Sequence, residues 1–152
     1  MFGFLRGKVA EVLTDKLFLD VNGIGFEVFA SGKTLGELKK GSETTLFTHM
    51  NFAQDSVAIF GFSTANEKEM FKRVTGVSRV GPKMAISILS VLNPSELAAC
   101  IVAEDERTLS RVPGLGKKTA QRIILELKDK IAADTAFVPS DGTEAGVLSI
   151  EG

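Results

Sequence analysis

The hydrophobic pattern of this chain changes its period once, near residue 63. Before that point, short runs rich in Phe, Val, Leu and Thr follow one another, and several alternate with polar residues as β-strands do. After it, apolar residues recur at helical spacing, beginning with the segment STANEKEMFKRV. A strand-rich half followed by a helix-rich half predicts an α+β fold of two domains.

The first 62 residues contain five strand-like runs, which are FGFLRGKVAEV, KLFLDV, GFEVFA, TTLFTHM and SVAIFGF. The Asn22-Gly23 pair separates the second run from the third and favours a hairpin turn. Five short strands in this length suit a small barrel of the OB type better than a sandwich, which usually has more strands. We therefore predict an OB-like barrel domain over residues 1–63, with a short helical turn in 31–41.

The second half of the chain has the pattern of four or five short helices, over residues 64–133. Thr64 and Glu67 have the spacing of a capping box at the start of the first of them. From Asp134 onward the period is lost, and we expect residues 134–152 to form a flexible acidic linker or tail.

The formal net charge of −1 conceals an uneven distribution. Residues 71–131 carry 11 basic and 6 acidic side chains, a charge of +5, whereas residues 1–70 sum to −2 and residues 132–152 to −4. A basic middle between two acidic ends indicates a localised cationic surface, as in a nucleic-acid-binding protein. A set of merely solvated lysines is the alternative that charge alone leaves open.

The basic region contains an internal repeat with an offset of 35 residues. TGVSRVGPKMAISIL (75–89) aligns with SRVPGLGKKTAQRII (110–124), and each copy has a bend, a glycine, a lysine and an alanine before an apolar helix. Bend glycines allow a positive φ and expose backbone N–H groups, and the helix that follows directs the positive end of its dipole to the same place. The pattern resembles the helix-hairpin-helix, which grips nucleic-acid backbone without reading bases.

The candidate DNA-binding residues are Arg79, Gly81 and Lys83 in the first copy and Gly114, Gly116, Lys117, Lys118 and Arg122 in the second. Arg79 stands where the second copy has Gly114, and arginine is disfavoured in a left-handed conformation. Either the first turn is built differently, or Arg79 contributes a phosphate contact in exchange for backbone freedom. Pro82 also removes one N–H donor from the first copy. For a single copy, a loop that merely ends one helix before the next is the alternative interpretation.

The order of the parts resembles the RuvA family, the bacterial subunits that recognise Holliday junctions. The segments GFLRG, VNGIGFEV, FTH and IFGF look like its first domain, and VGPKMA and PGLGKKTA like its tandem hairpins. The resemblance implies a homotetramer, or a face-to-face octamer, on a four-way junction held open in square-planar form. It also implies the ATP-driven motor RuvB and the resolvase RuvC as partners, in homologous recombination, DNA repair and the SOS response.

In the family, a hairpin between the fourth and fifth barrel strands carries two adjacent acidic residues at the tetramer centre. Matching by position places them at Gln54 and Asp55, so only Asp55 keeps the charge. Carboxylates at the crossover repel phosphates, so we expect a weakened acidic pin; an ordinary turn residue is the alternative for Asp55. The family also has a third, small helical domain that docks on the motor. We expect junction binding without this domain. Because the chain ends at Gly152, within or just past the family's linker, motor coupling is left open.

Two other functions are compatible with parts of the sequence. PGLGKKTA also resembles helix-hairpin-helix DNA glycosylases, in which a lysine, here Lys118, attacks the sugar with the help of an aspartate, here Asp134. That lysine needs a dry pocket, which a sixty-residue barrel does not supply. A single-strand-binding OB module needs exposed aromatic rings, and the candidates are Phe47, Phe52, Phe60 and Phe62. Phenylalanine at alternating strand positions is more often a core residue, so we expect these four to lie in the core.

No catalytic centre, metal site or cofactor site is predicted. His49, the only histidine, lies in a strand, and Cys100, the only cysteine, lies in an apolar run that favours burial in a reducing compartment. No P-loop, signal-peptide pattern or membrane-length apolar run is present. We expect a non-catalytic, cytoplasmic DNA-binding subunit without membrane contact, any ATP hydrolysis belonging to a partner.

Overall fold

The computed structural model describes residues 1–134, which divide into two compact units. One unit is Met1–Lys68 and the other begins at Glu69. The acidic linker or tail expected over residues 134–152 lies, apart from Asp134, outside the described residues.

The first unit is a closed five-stranded barrel. Its strands are β1 (Phe4–Val12), β2 (Lys16–Val21), β3 (Ile24–Phe29), β4 (Glu43–Ala53) and β5 (Ser56–Phe62), in the spatial order β1-β2-β3-β5-β4. Neighbouring strands are antiparallel except for β3 and β5, which are parallel. A short helix, α1 (Gly32–Glu37), follows β3 in the chain. The predicted barrel of an α+β fold is confirmed.

Successive side chains of a strand point to opposite faces, so the apolar side chains of strands that alternate in polarity fill the barrel interior. The buried core consists of Leu5, Val9, Leu17, Leu19, Val28, Ala30, Leu35 and Leu46. The turn between β2 and β3 has positive φ at both Asn22 (52°) and Gly23 (91°), and Val21 pairs with Ile24 across it. This is the I′-type geometry that an Asn-Gly pair favours, so the predicted hairpin is confirmed.

Within the described residues, five helices follow the barrel: α2 (Ala65–Thr75), α3 (Pro82–Val91), α4 (Pro94–Val102), α5 (Glu106–Leu109) and α6 (Lys117–Ala132). The buried side chains of the second unit recur at helical spacing, and the most enclosed are Met70, Phe71, Val74, Ala85, Ile88, Leu89, Leu97, Ile101, Leu109, Ala120 and Ile123. Among the described helices, none alone is long and apolar enough to cross a membrane, although α3 and α4, bent by 97° at their break, pass that test as a pair.

The predicted capping box of α2 is present only in part. The Thr64 hydroxyl accepts the Glu67 N–H over 3.1 Å, as expected. The buried Glu67 carboxylate instead accepts the N–H of Ser63 over 3.3 Å and the hydroxyl of Thr34, the third residue of α1, over 3.1 Å. Burial raises the pKa of the Glu67 carboxyl despite these hydrogen bonds.

Candidate nucleic-acid interface

The two copies of the repeat adopt the same turn. In the first, the Val80 N–H donates to the Val77 carbonyl over 3.1 Å, and in the second the Leu115 N–H donates to the Val112 carbonyl over 3.0 Å. All four side chains are buried, so the ends of each turn are anchored in the core. A four-residue turn closed by this bond, with a positive φ at its third residue, is of type II.

Arg79 and Gly114 are the third residues of these turns. The φ angle is 68° at Arg79 and 83° at Gly114, so both copies use the left-handed conformation. The possibility that the first turn is built differently is therefore wrong: the arginine adopts a conformation that normally favours glycine. Pro113, which precedes Gly114, occupies the second position, where this turn favours proline.

Gly81 and Gly116 are the N-caps of α3 and α6, and neither has a positive φ. Their φ angles are −86° and −78°, so the left-handed freedom expected of the bend glycines is used at Gly114 and not at these two. Neither residue has a side chain that could cap its helix, and an added Cβ at either would meet no atom within 4 Å. The space beside each helix start is therefore open to a ligand.

The other helix starts within the described residues are capped by side chains. Ser31 caps α1, Thr64 caps α2, Asn93 caps α4 and Asp105 caps α5. At Asp105, hydrogen bonds from the hydroxyl and the N–H of Thr108 lower the pKa of the carboxyl. The two uncapped helix starts are thus the two that follow the repeated turns.

Uncapped helix starts leave backbone N–H groups without partners in their own helix. These groups belong to Lys83 and Met84 in α3 and to Lys117, Lys118 and Thr119 in α6. The first copy has one fewer because its first helical residue, Pro82, has no N–H. Together with the positive end of the helix dipole, these amides can bind a phosphate oxygen.

The candidate basic residues make no ion pair within residues 1–134. They are Arg79, Lys83, Lys117 and Lys118, which are exposed, and Arg122, which is half-buried. Three other basic residues of the second unit are neutralised: Lys72 by Glu69 at 3.6 Å, Arg73 by Asp134 at 3.2 Å and Lys128 by Glu104 at 2.8 Å. Unpaired positive charge therefore occurs on the same segments as the open amides.

Gln54 and Asp55 form the two-residue turn between β4 and β5. Ala53 pairs with Ser56 across this turn, and all four residues are exposed. Both candidate pin residues thus lie at the tip of a hairpin. A hairpin tip presents the Asp55 carboxylate to any strand that approaches it.

The four phenylalanines that could stack on bases do not form one exposed surface. Phe60 and Phe62 are buried and Phe47 is half-buried. Phe52 is 61% exposed and pairs across the hairpin with Val57, which is 58% exposed. The expectation that alternating strand positions place Phe52 in the core is wrong. β4, with 11 residues, is the longest strand, and its last residues are exposed.

Lys118 and Asp134 lie at opposite ends of α6. Lys118 is the second residue of α6 and Asp134 follows its last residue, Ala132, so the helix alone separates the two by about 21 Å along its axis. The Asp134 carboxylate also accepts a hydrogen bond from Arg73 over 3.2 Å. The lysine–aspartate pair that a glycosylase needs is therefore not formed.

The remaining candidates for chemistry lie inside the fold. His49 is half-buried in β4, and Cys100 is buried in α4, where burial raises the pKa of its thiol. No group of three or more His, Cys, Asp or Glu residues among the described residues could hold a metal ion.

Sequence reasoning missed Met84. A Cβ on Gly114 would lie 3.5 Å from Met84 Cε, so this side chain of α3 contacts the bend of the second copy. Met84 follows Lys83, the repeat's lysine, and methionine fills irregular gaps well, but neither observation identifies its contact from sequence.

Two family models match the chain. Residues 1–61 match the RuvA N-terminal domain, and residues 71–129 match a SAM-like tandem helix-hairpin-helix. The second match includes both repeated turns and both uncapped helix starts.

Curated relatives extend the match across the described residues. Proteins named Holliday junction branch migration complex subunit RuvA are 44% identical over 131 residues in Alkaliphilus oremlandii, 47% over 131 in Bifidobacterium longum and 42% over 145 in a Nocardioides species. These alignments cover 86%, 86% and 95% of this chain. They cover 68%, 63% and 72% of the relatives, so the chain spans about two thirds of their length.

Proposed function

Because the chain belongs to the RuvA family of Holliday junction branch migration complex subunits, we propose that it binds four-way junction DNA and holds the junction open during branch migration. The two family models and the curated relatives confirm the family resemblance inferred from the sequence. The process it serves is homologous recombination and DNA repair.

The observation that carries the proposal is the pair of uncapped helix starts with unpaired cations beside them. Each offers open N–H groups and full positive charges to a phosphate. The contact residues we propose are Arg79, Gly81, Lys83, Gly114, Gly116, Lys117, Lys118 and Arg122. Phosphate contacts carry no sequence information, so the protein selects DNA by its shape.

The hairpin tip acts at the crossover in this proposal. Asp55 repels phosphates and keeps the strands from closing over the junction centre. Gln54 adds no charge, so each subunit contributes one carboxylate. The barrel domain over 1–63 holds this tip, and the helical domain over 64–133 holds the arms.

The assembly and its partners follow from the family. We propose a homotetramer on the junction, or an octamer of two facing tetramers, acting in the cytoplasm with the motor RuvB and the resolvase RuvC. The subunit itself is non-catalytic and binds DNA without a cofactor; the motor hydrolyses ATP.

A competition experiment combined with native mass spectrometry tests the proposal. A labelled synthetic four-way junction is bound, then challenged with unlabelled junction, duplex of the same sequence and single-stranded DNA. The proposal predicts displacement by junction at far lower concentration than by the other two, and a mass of four or eight subunits per junction. Equal displacement by single-stranded DNA would favour a generic OB module and overturn it.

A further inference from the structure

Arg79 is held in a conformation that is unfavourable for its own side chain. Its φ of 68° matches the 83° of Gly114, and the closing hydrogen bonds of the two turns differ by 0.1 Å. A Cβ crowds the backbone in this region, so a glycine would fit the same turn without strain.

No contact of the Arg79 side chain within the described residues offsets that strain. The Arg79 side chain is exposed and has no hydrogen bond, ion pair or ring contact within residues 1–134. A strained, exposed arginine without an intramolecular partner points to a partner outside the chain.

The repeat shows what the first hairpin lacks. Pro82 is the equivalent of Lys117, at the offset of 35, and both are first residues of their helices. Lys117 brings a backbone N–H and a positive charge, and Pro82 brings neither. Ser87 likewise stands at the equivalent of Arg122. Without Arg79, Lys83 would be the one cation among these equivalent positions of the first hairpin.

We infer that Arg79 is a phosphate-binding residue that replaces, in the first hairpin, the charge and the N–H group supplied by Lys117 in the second. This inference rests on the proposed function. The guanidinium has several donors in a fixed plane and binds a phosphate through two of them. The first hairpin therefore combines the charges of Arg79 and Lys83 with two backbone amides, whereas the second combines those of Lys117 and Lys118 with three.

Arg79→Gly separates the two roles because it changes stability and binding in opposite directions. The melting temperature should rise by roughly 2–4 °C as strain is relieved. Affinity for a synthetic four-way junction should fall about tenfold in low salt, and the negative slope of log K against log[salt] should become shallower by about one for each bound subunit. Arg79→Lys, which keeps the charge and the strain, should keep the slope and the melting temperature.

Lys118→Ala, measured in parallel, distinguishes failure of this inference from failure of the proposed function. If Lys118→Ala weakens binding and Arg79→Gly does not, the role of Arg79 is overturned and the proposed function stands. If neither variant changes the slope, the phosphate-binding surface itself is wrong. A melting temperature that does not rise in Arg79→Gly would overturn the strain argument.

Discussion

Ala85 and Ala120, 35 residues apart, are both completely buried, and each donates its N–H to the N-cap glycine of its own helix, over 3.1 and 3.0 Å. The two helix starts are thus held by the same contact. Protein interiors are close-packed, so a side chain larger than the alanine methyl group has no room at either position.

Ala120→Leu should destabilise the fold by about 1–3 kcal/mol, since the added atoms must displace packed neighbours. Chemical denaturation measures the change. Gln121→Leu places the same side chain on the next, exposed residue and should change stability by no more than about 0.5 kcal/mol. Equal effects of the two substitutions would show that the burial of Ala120 is not what limits its size.

Gly116→Ser should weaken junction binding without weakening the fold. The backbone at this N-cap is already extended, with φ −78° and ψ 164°, so a serine hydroxyl can accept the open N–H groups of α6. The new hydrogen bond should add at most a few tenths of a kcal/mol to the stability of the fold, and it occupies N–H groups that would otherwise be open to a phosphate. Anisotropy titration with junction DNA and thermal melting give the two quantities. Unchanged affinity would mean that these amides do not bind DNA.

The charge at the hairpin tip predicts opposite effects for two substitutions. Asp55→Asn removes a carboxylate and should tighten junction binding or relax the preference for four-way DNA over duplex, because phosphate repulsion is lost. Gln54→Glu adds a carboxylate beside it and should weaken junction binding. Both residues are exposed, so folding is unaffected. If both ratios of junction to duplex affinity stay at the wild-type value, the tip does not act at the crossover.

The buried Glu67 predicts a pH dependence of stability. Its pKa is raised in the folded state, chiefly by burial and in part by Glu37. The contribution of Glu67 to the free energy of unfolding is therefore complete at low pH and is lost as pH rises through the folded-state pKa. Glu67→Gln stays neutral and its amide oxygen can accept the same hydrogen bonds from Ser63 and Thr34. As pH rises above the ordinary glutamate pKa of about 4.3, wild-type stability should fall relative to this variant until the folded-state carboxyl has ionised. Two parallel curves of unfolding free energy against pH would contradict this account.

The hairpin turn and the repeated bends could be predicted because each is specified by residues that adjoin one another in the sequence. Asn22-Gly23 specifies its own turn, and the offset of 35 residues predicts two like hairpins. The repeat also predicted exposed backbone N–H groups at each bend, and the structure places the N-cap glycines Gly81 and Gly116 there, without a side chain to cap them.

Tertiary context decided the rest. The φ of Arg79 is imposed by the buried Val77 and Val80 at the ends of its turn, and propensity alone predicts the opposite. The exposure of Phe52 depends on where the barrel ends along β4, which strand alternation does not reveal. Sequence spacing likewise paired Lys118 with Asp134, whereas most of α6 lies between them.

The salt dependence of junction binding by Lys118→Ala tests the central claim most directly. Lys118 is exposed, unpaired within residues 1–134 and located in the first turn of α6, so its removal should delete the proposed phosphate contact and leave the fold intact. We predict weaker binding to junctions of every sequence and a negative slope of log K against log[salt] that becomes shallower by about one per bound subunit. A slope equal to that of the wild-type protein would contradict the assignment of this helix start to DNA phosphate.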